Sequence, residues 1–243
     1  MKIVRLLMVG GVALLLIIEG MYMGPLWRTH SEETIRDYHL MMYANPAMWN
    51  LKWVGIYTQQ NPNDVWIIQE IISEVKPDII IETGTDRGGS AVIWAMIQVL
   101  VNRNGRVITI DIEKRVDKGK FPASFLDKID FVIGDSVDPM IVTKVGERAR
   151  GQKTLVILDS DHHKEHVIKE LEKYAPMVSV GSYIIVQDTD ISGHPIRPAN
   201  YQGPGPMEAV EEFLPRHKEF KVDKDREKLL FTMHPNGYLR RIK

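Results

Sequence analysis

Apolar positions along the chain change spacing at regular intervals, and the changes outline a series of elements. VWIIQEIISEV (65–75) repeats its apolar residues at helical spacing, and Lys76-Pro77-Asp78 interrupts it. IIIET (79–83) is a β-branched run of the kind a strand buried on both faces carries. SAVIWAMIQVLV (90–101) predicts a helix that the turn residues NRNG (102–105) close. RVITIDI (106–112), IDFVIGD (129–135), TLVILDSD (154–161) and GSYIIVQDTD (181–190) predict four further strands, and HKEHVIKELEKYAPMV (163–178) and MEAVEEFLPRH (207–217) two further helices. KLLFTMHPNGYLRRI (228–242) predicts a C-terminal antiparallel hairpin turning at Pro235-Asn236-Gly237. Strands that alternate with helices imply an α/β fold of Rossmann-like type, a mostly parallel twisted sheet with helices on both faces.

The N-terminal quarter reads differently. Lys2 and Arg5 precede an unbroken apolar run from Leu6 to Ile18, shorter than the roughly 20 residues a full span needs. Tyr22 and Trp27 suit a membrane interface, and no small-x-small cleavage site follows the run, so residues 1–27 read as a short membrane anchor. A cleaved signal peptide and a peripheral helix are the alternatives. Residues 28–62 read as a helical extension, with Ser31 as an N-cap ahead of Glu32 and Glu33, and with Trp49, Trp53 and Tyr57 packing it onto a core. The catalytic domain is expected over 63–243.

Composition narrows the function classes. A chain of 243 residues, 44% hydrophobic, can bury one good-sized core. A net charge of -1 gives no electrostatic signature for nucleic acid. The absence of cysteine excludes disulfides, thiolate metal sites and thiol nucleophiles.

Ligands of open parallel sheets bind beyond the carboxyl ends of the strands, and polar residues collect there. Glu82, Thr83, Gly84 and Thr85 end the first strand, Asp111 the second, and Asp135 and Ser136 the third. Asp159, Asp161, His162 and His163 follow the fourth, and Gln187, Asp188 and Asp190 the fifth. Acids at all five ends would repel one another unless cations or hydroxyl donors met them. The loop ETGTDRGGS (82–90) has Asp86 where a dinucleotide fingerprint needs its second glycine, and it lacks the P-loop lysine. An acid beside a glycine loop suits an ammonium group, and Asp111 suits a ribose diol. Ammonium and ribose without pyrophosphate point to S-adenosylmethionine.

The run NPNDVWIIQEIISEVKPDIIIETGTDRGGSAVIWA, followed in order by VITIDIE, GDS, LDSDHHKEHVIKELEKYAPMVSVGSYIIVQDT and GPGPMEAVEEFL, closely resembles the cephalosporin hydroxylase family. The resemblance runs from about Trp49 to the C-terminus. It implies the class I S-adenosylmethionine-dependent methyltransferase fold, in a family that includes rhamnosyl O-methyltransferase-like members. It also implies that Glu82, Gly84, Gly88 and Ser90, with Thr83 and Thr85 in the same loop, line the methionine part of the cofactor. Asp111 would take the ribose, and Asp135 with Ser136 the adenine side. The family further resembles the catechol and caffeoyl-coenzyme A O-methyltransferases in binding a divalent cation, Mg²⁺ or Mn²⁺. Carried over, the ligands are Asp159 or Asp161 together with Gln187 and Asp188, and the chain departs from the pattern in having an amide at Gln187 where an acid is expected.

The implied reaction is methyl transfer to a hydroxyl of a sugar, glycolipid or secondary metabolite, with His162, His163 or Asp161 placed to take the proton. DISGHPIRPANYQGPGP (190–206) reads as a lid whose His194, Arg197 and Tyr201 would select the acceptor. A nicotinamide-dependent oxidoreductase and a silent membrane-tethered cofactor-binding protein are the competing classes. The failed fingerprint counts against the first and the full set of strand-end acids against the second. Self-association through the aromatic extension is expected.

Overall fold

The computed structural model describes residues 32–199 and 202–243. The chain divides into two compact units between Met42 and Tyr43. Residues 32–44 form helix α1, while the Ser31 cap and the apolar run 6–18 lie outside the described residues. Among the described residues no helix is long and apolar enough to cross a membrane.

The larger unit begins with two short antiparallel strands, β1 (Lys52–Trp53) and β2 (Ile56–Tyr57). Helix α2 (Pro62–Val75) starts where Asn61 accepts from the Asn63 amide and Pro62 occupies the first turn. It ends at Lys76 in a left-handed conformation, φ 49°. Then follow β3 (Ile79–Thr83), α3 (Gly89–Val101), β4 (Arg106–Asp111), the one-turn α4 (Ala123–Leu126), β5 (Ile129–Ile133) and α5 (Pro139–Ala149). β6 (Thr154–Leu158), α6 (Lys164–Tyr174), β7 (Tyr183–Val186), α7 (Pro206–Phe213), β8 (Phe220–Val222) and β9 (Tyr238–Arg241) complete the chain.

The seven strands of the main sheet lie in the order β5-β4-β3-β6-β7-β9-β8, parallel from β5 through β7 and antiparallel at β9 and β8. This is the mostly parallel α/β sheet the spacing predicts. The chain moves outward from β3 to β5 and then returns to lay β6 on the other side of β3. The point of reversal therefore lies between the adjacent carboxyl ends of β3 and β6, where open sheets of this kind bind ligands.

Alternation along the strands divides the apolar residues between two cores. Ile79 and Ile81 of β3 join Val156 and Leu158 of β6 against α5, α6 and α7. Ile80, with Leu155 and Ile157, faces α2 and α3, where Ile67, Ile68, Ile71 and Ile72 are buried. Each of those isoleucines contributes about 1.5–3 kcal/mol relative to an exposed one.

One expectation is corrected, and one helix is added. The first arm of the terminal hairpin is Phe220–Val222, not the run around KLLFT: Leu229 and Leu230 are exposed, and Leu230 has φ 67°. The turn at Pro235-Asn236-Gly237 does form, with Gly237 N donating to His234 O at 2.9 Å, but it leads from a long loop into β9. Helix α5, which the strand-by-strand reading passed over, is opened by Asp138, whose carboxylate accepts from Met140 N and Ile141 N.

Candidate active site

Helix α3 grows out of the β3 loop, and that loop is built by the carboxylate of Asp111. Its Oδ2 accepts from Thr85 N (3.1 Å) and Asp86 N (2.8 Å), and its Oδ1 from Glu113 N (2.8 Å). Three of a carboxylate's roughly four lone-pair sites are thus occupied by main chain, leaving one on Oδ1 for a ligand hydroxyl. The glycines serve the chain itself. A Cβ on Gly84, at φ 87°, would lie 1.7 Å from the Asp159 carbonyl oxygen, and one on Gly89 would lie 2.0 Å from that of Tyr57. Gly88, in a left-handed conformation, caps α3 against the ring of Phe121.

Alternation also decides where Glu82 points. It shares a face with Ile80, toward α3, and is fully buried. Its carboxylate accepts from Trp94 Nε1 (2.8 Å) and Thr109 Oγ1 (2.6 Å), and Thr109 meets Thr85 Oγ1 at 2.6 Å. Burial raises its pKa to about 7, against the hydrogen bonds from Thr109, Ser90 and Trp94 that lower it. Glu82, Thr83 and Gly88 stand behind the wall of the cavity at this edge, whereas Gly84, Thr85, Ser90, Asp111, Asp135 and Ser136 line it. The cavity has a volume of about 890 Å³, within the range for small-molecule and cofactor sites.

At its other end the loops after β6 and β7 converge. Single ligand atoms of Asp159, His162 and Asp188 all lie within 4.8 Å of one another, and His162 Nε2 is 3.3 Å from Asp188 Oδ2. The Asp159 carboxyl is pushed well up, first by burial and then by the charges of Asp188 and Glu82. Asp161 stands apart from this group. Its carboxylate is turned to His163, accepting from the backbone N at 2.9 Å and lying 2.5 Å from Nδ1.

Gln187 is buried, and its amide end lies 2.8 Å from Asp159 Oδ2. With nitrogen foremost it donates to that carboxylate. With oxygen foremost it leaves two oxygens 2.8 Å apart, an arrangement a cation between them would stabilise. Gln60, from the segment before α2, donates Nε2 to Asp159 Oδ2 (2.9 Å) and pairs with the Gln187 amide at 2.8 and 3.1 Å. Sequence reasoning missed Gln60, which sits in a polar stretch without periodicity. The oxygen donors, two carboxylates with an amide oxygen beside them, fit a hard divalent cation, and the His162 imidazole stands next to them.

Beside Ser136 lies another group that the sequence reading passed over. Glu170, buried on α6, accepts from Ser136 Oγ (2.5 Å) and Ser160 Oγ (2.7 Å) and raises the pKa of His166. In the loop before α7, His194 Nε2 meets Glu208 Oε1 at 2.7 Å and Arg197 reaches Ser192 O, so both side chains brace the loop. Tyr201 lies outside the described residues.

The geometry agrees with what similarity finds. Rhamnosyl O-methyltransferases of Mycobacterium tuberculosis and Mycobacterium leprae are 34% and 32% identical to the chain, over 97% and 91% of it and 96% and 94% of their own lengths. Solved structures of CmcI, one apo and one with Mg and SAM, superpose with TM-scores of 0.60 at 21% identity. Both cover 79% of this chain, and 76% and 77% of CmcI respectively. A putative caffeoyl-CoA O-methyltransferase from Staphylococcus aureus gives 0.52 at 14% identity, over 85% of this chain and 93% of its own. At these identities the structural likenesses speak for the fold, the class I methyltransferase sheet the motifs imply. The Rhamnosyl O-methyltransferase/CmcI model matches residues 45–242, and with relatives above 30% identity along nearly the whole chain, the protein belongs to that family.

Proposed function

We propose that the protein is an S-adenosylmethionine-dependent, divalent-cation-assisted O-methyltransferase whose acceptor is a sugar hydroxyl. The observation that carries this reading is the grouping of Asp159, His162 and Asp188 in the same cavity as the β3 loop and Asp111. The names of the mycobacterial relatives supply the sugar.

In this reading S-adenosylmethionine supplies a methyl group already activated by its sulfonium. Asp111 offers its remaining acceptor site to the ribose, Asp135 and Ser136 face the adenine side, and Gly84, Thr85 and Ser90 face the methionine part. Glu82 and Thr83 act from behind the wall. Glu82 fixes Thr109 and through it Thr85, and Thr83 O and Oγ1 accept from Asp159 N (2.9 and 3.3 Å).

Asp159, Asp188 and the Gln187 amide oxygen would hold Mg²⁺ or Mn²⁺, which lowers the pKa of a hydroxyl it contacts. The acceptor proton passes to His162, and the Asp188 carboxylate 3.3 Å away stabilises the imidazolium. Asp161 fixes His163 at the start of α6. The main contribution of the chain is alignment, since displacement at a sulfonium methyl needs nucleophile, carbon and sulfur in line.

A glycolipid acceptor would fit the apolar run 6–18 as an anchor ahead of the extension 28–62 and the catalytic domain 63–243. Incubating the protein with labelled S-adenosylmethionine, Mg²⁺ and rhamnose-bearing glycolipids tests the whole reading. Label in a methyl ether of the sugar, lost on chelation, is the expected result, and transfer that is unaffected by chelator would overturn the cation's part.

A further inference from the structure

Asp188 sits two residues past the end of β7 with φ 54°, a left-handed conformation uncommon outside glycine that Asp and Asn enter more readily than other residues. The ladder of β6 and β7 ends one residue earlier, where Gln187 N donates to Leu158 O at 3.0 Å. The next amide, that of Asp188, has left the sheet and donates to His234 Nδ1 at 3.0 Å. His234 is itself buried, 2% exposed, in the long loop before β9.

Because Nδ1 accepts a backbone N–H, the ring proton is on Nε2, which faces Asp64 Oδ2 at 3.7 Å. Asp64, at the start of α2, is fully buried and accepts from Asn61 Nδ2 (2.7 Å), Met233 N (2.9 Å), Tyr238 Oη (2.8 Å) and Thr232 Oγ1. Thr232 in turn accepts from His234 N at 3.0 Å. The imidazole therefore stands beside a buried carboxylate that other donors already saturate, makes no hydrogen bond through Nε2, and grips a single peptide group through Nδ1.

We propose that His234 is a positioning residue for the cation site. It holds the Asp188 peptide in its left-handed turn, and the turn aims the Asp188 carboxylate at Asp159 and His162. This rests on the reading of Asp188 as a cation ligand. His234 borders the cavity, but its Nδ1 is engaged by the Asp188 amide. It acts through main chain, as the outer partners of metal ligands do when they orient the group that binds. Nothing in the sequence marks the pair, since 46 positions separate Asp188 from His234.

The two nitrogens of the ring can be tested separately. Asparagine at 234 can place an acceptor where Nδ1 stands, whereas glutamine reaches past it toward Asp64. Mn²⁺ alone, titrated by electron paramagnetic resonance, should bind His234→Asn within about threefold of the parent and His234→Gln about 10- to 100-fold more weakly. S-adenosylhomocysteine should bind all three alike. Glutamine binding Mn²⁺ as the parent does, or both variants losing it equally, would overturn the proposal. Asp188→Asn is the control: if it keeps parental Mn²⁺ affinity, the cation reading fails and this inference with it. If it loses Mn²⁺ while His234→Gln does not, only the role of His234 falls. In the unmodified protein a ¹⁵N–¹⁵N coupling across the hydrogen bond between the Asp188 amide and His234 Nδ1 should be measurable, and its absence would also overturn the proposal.

Discussion

Trp94 donates its indole N–H to Glu82 Oε1 at 2.8 Å inside the core between the sheet and α3. Since burial lifts the Glu82 pKa to about 7, the folded protein retains a proton that the unfolded chain gives up near its ordinary value of 4.5. Between those two values the native state binds more protons, so stability falls as pH rises through that window, by about 3 kcal/mol for this group. Glu82→Gln removes the titration. Urea unfolding at a series of pH values should show the parent losing that increment relative to the variant, and parallel curves would refute the assignment.

Asp111→Ala withdraws the acceptor of three main-chain amides at once. The loss should lower stability by about 1–3 kcal/mol and weaken S-adenosylhomocysteine binding by about tenfold or more. Calorimetry that finds the affinity unchanged would separate Asp111 from the cofactor.

Asp188→Asn should reduce Mn²⁺ affinity by more than about 100-fold, beyond the loss typical of outer partners. Cofactor affinity should hold, because the Asp111 end of the cavity is built from other strands. A fully active Asp188→Asn enzyme in excess chelator would show that this end serves another purpose.

Gln187→Glu adds a charge to the ligand set and should tighten Mn²⁺ binding. The new carboxyl would also be buried beside Asp159, so the two would share a proton in the metal-free protein. Affinity measured from pH 6 to 9 should therefore rise more steeply with pH than in the parent. Equal slopes would place residue 187 outside the site.

Gln60→Ala removes the side-chain donor that holds the Asp159 pKa down. The carboxyl should rise further, so Mn²⁺ binding should weaken at neutral pH and recover in alkali. A loss that persists at pH 9 would instead mark Gln60 as a ligand.

Much of this architecture was legible because its signals are local. IIIET ends at Thr83 as read, and Asp111, Asp135, Asp159 and Asp188 lie within two residues of the ends of β4, β5, β6 and β7. Leu229, Leu230 and Phe231 imitate a strand in the sequence, whereas Phe220–Val222 is too short to show alternation. The place of Glu82 at a strand end is visible in the sequence, and the period of two turns its side chain toward α3 and Trp94. Gln60 and His234 act through partners up to 127 positions away, and no spacing rule connects them.

Gly84 has a further consequence. With the Asp159 carbonyl only 1.7 Å from where a Cβ would stand, the backbone of the β3 loop rests directly on the chain leaving β6, which in the proposed reading carries a cation ligand. In that reading the distance between methyl donor and acceptor is a main-chain dimension, like the spacing of two jaws cut from one block. A single methyl group at position 84 would wedge the jaws apart, and a misplacement of about 1 Å is enough to cost on the order of 10²-fold in rate. The enzyme could keep every ligand, fold, and bind both partners, yet hold them just too far apart to react.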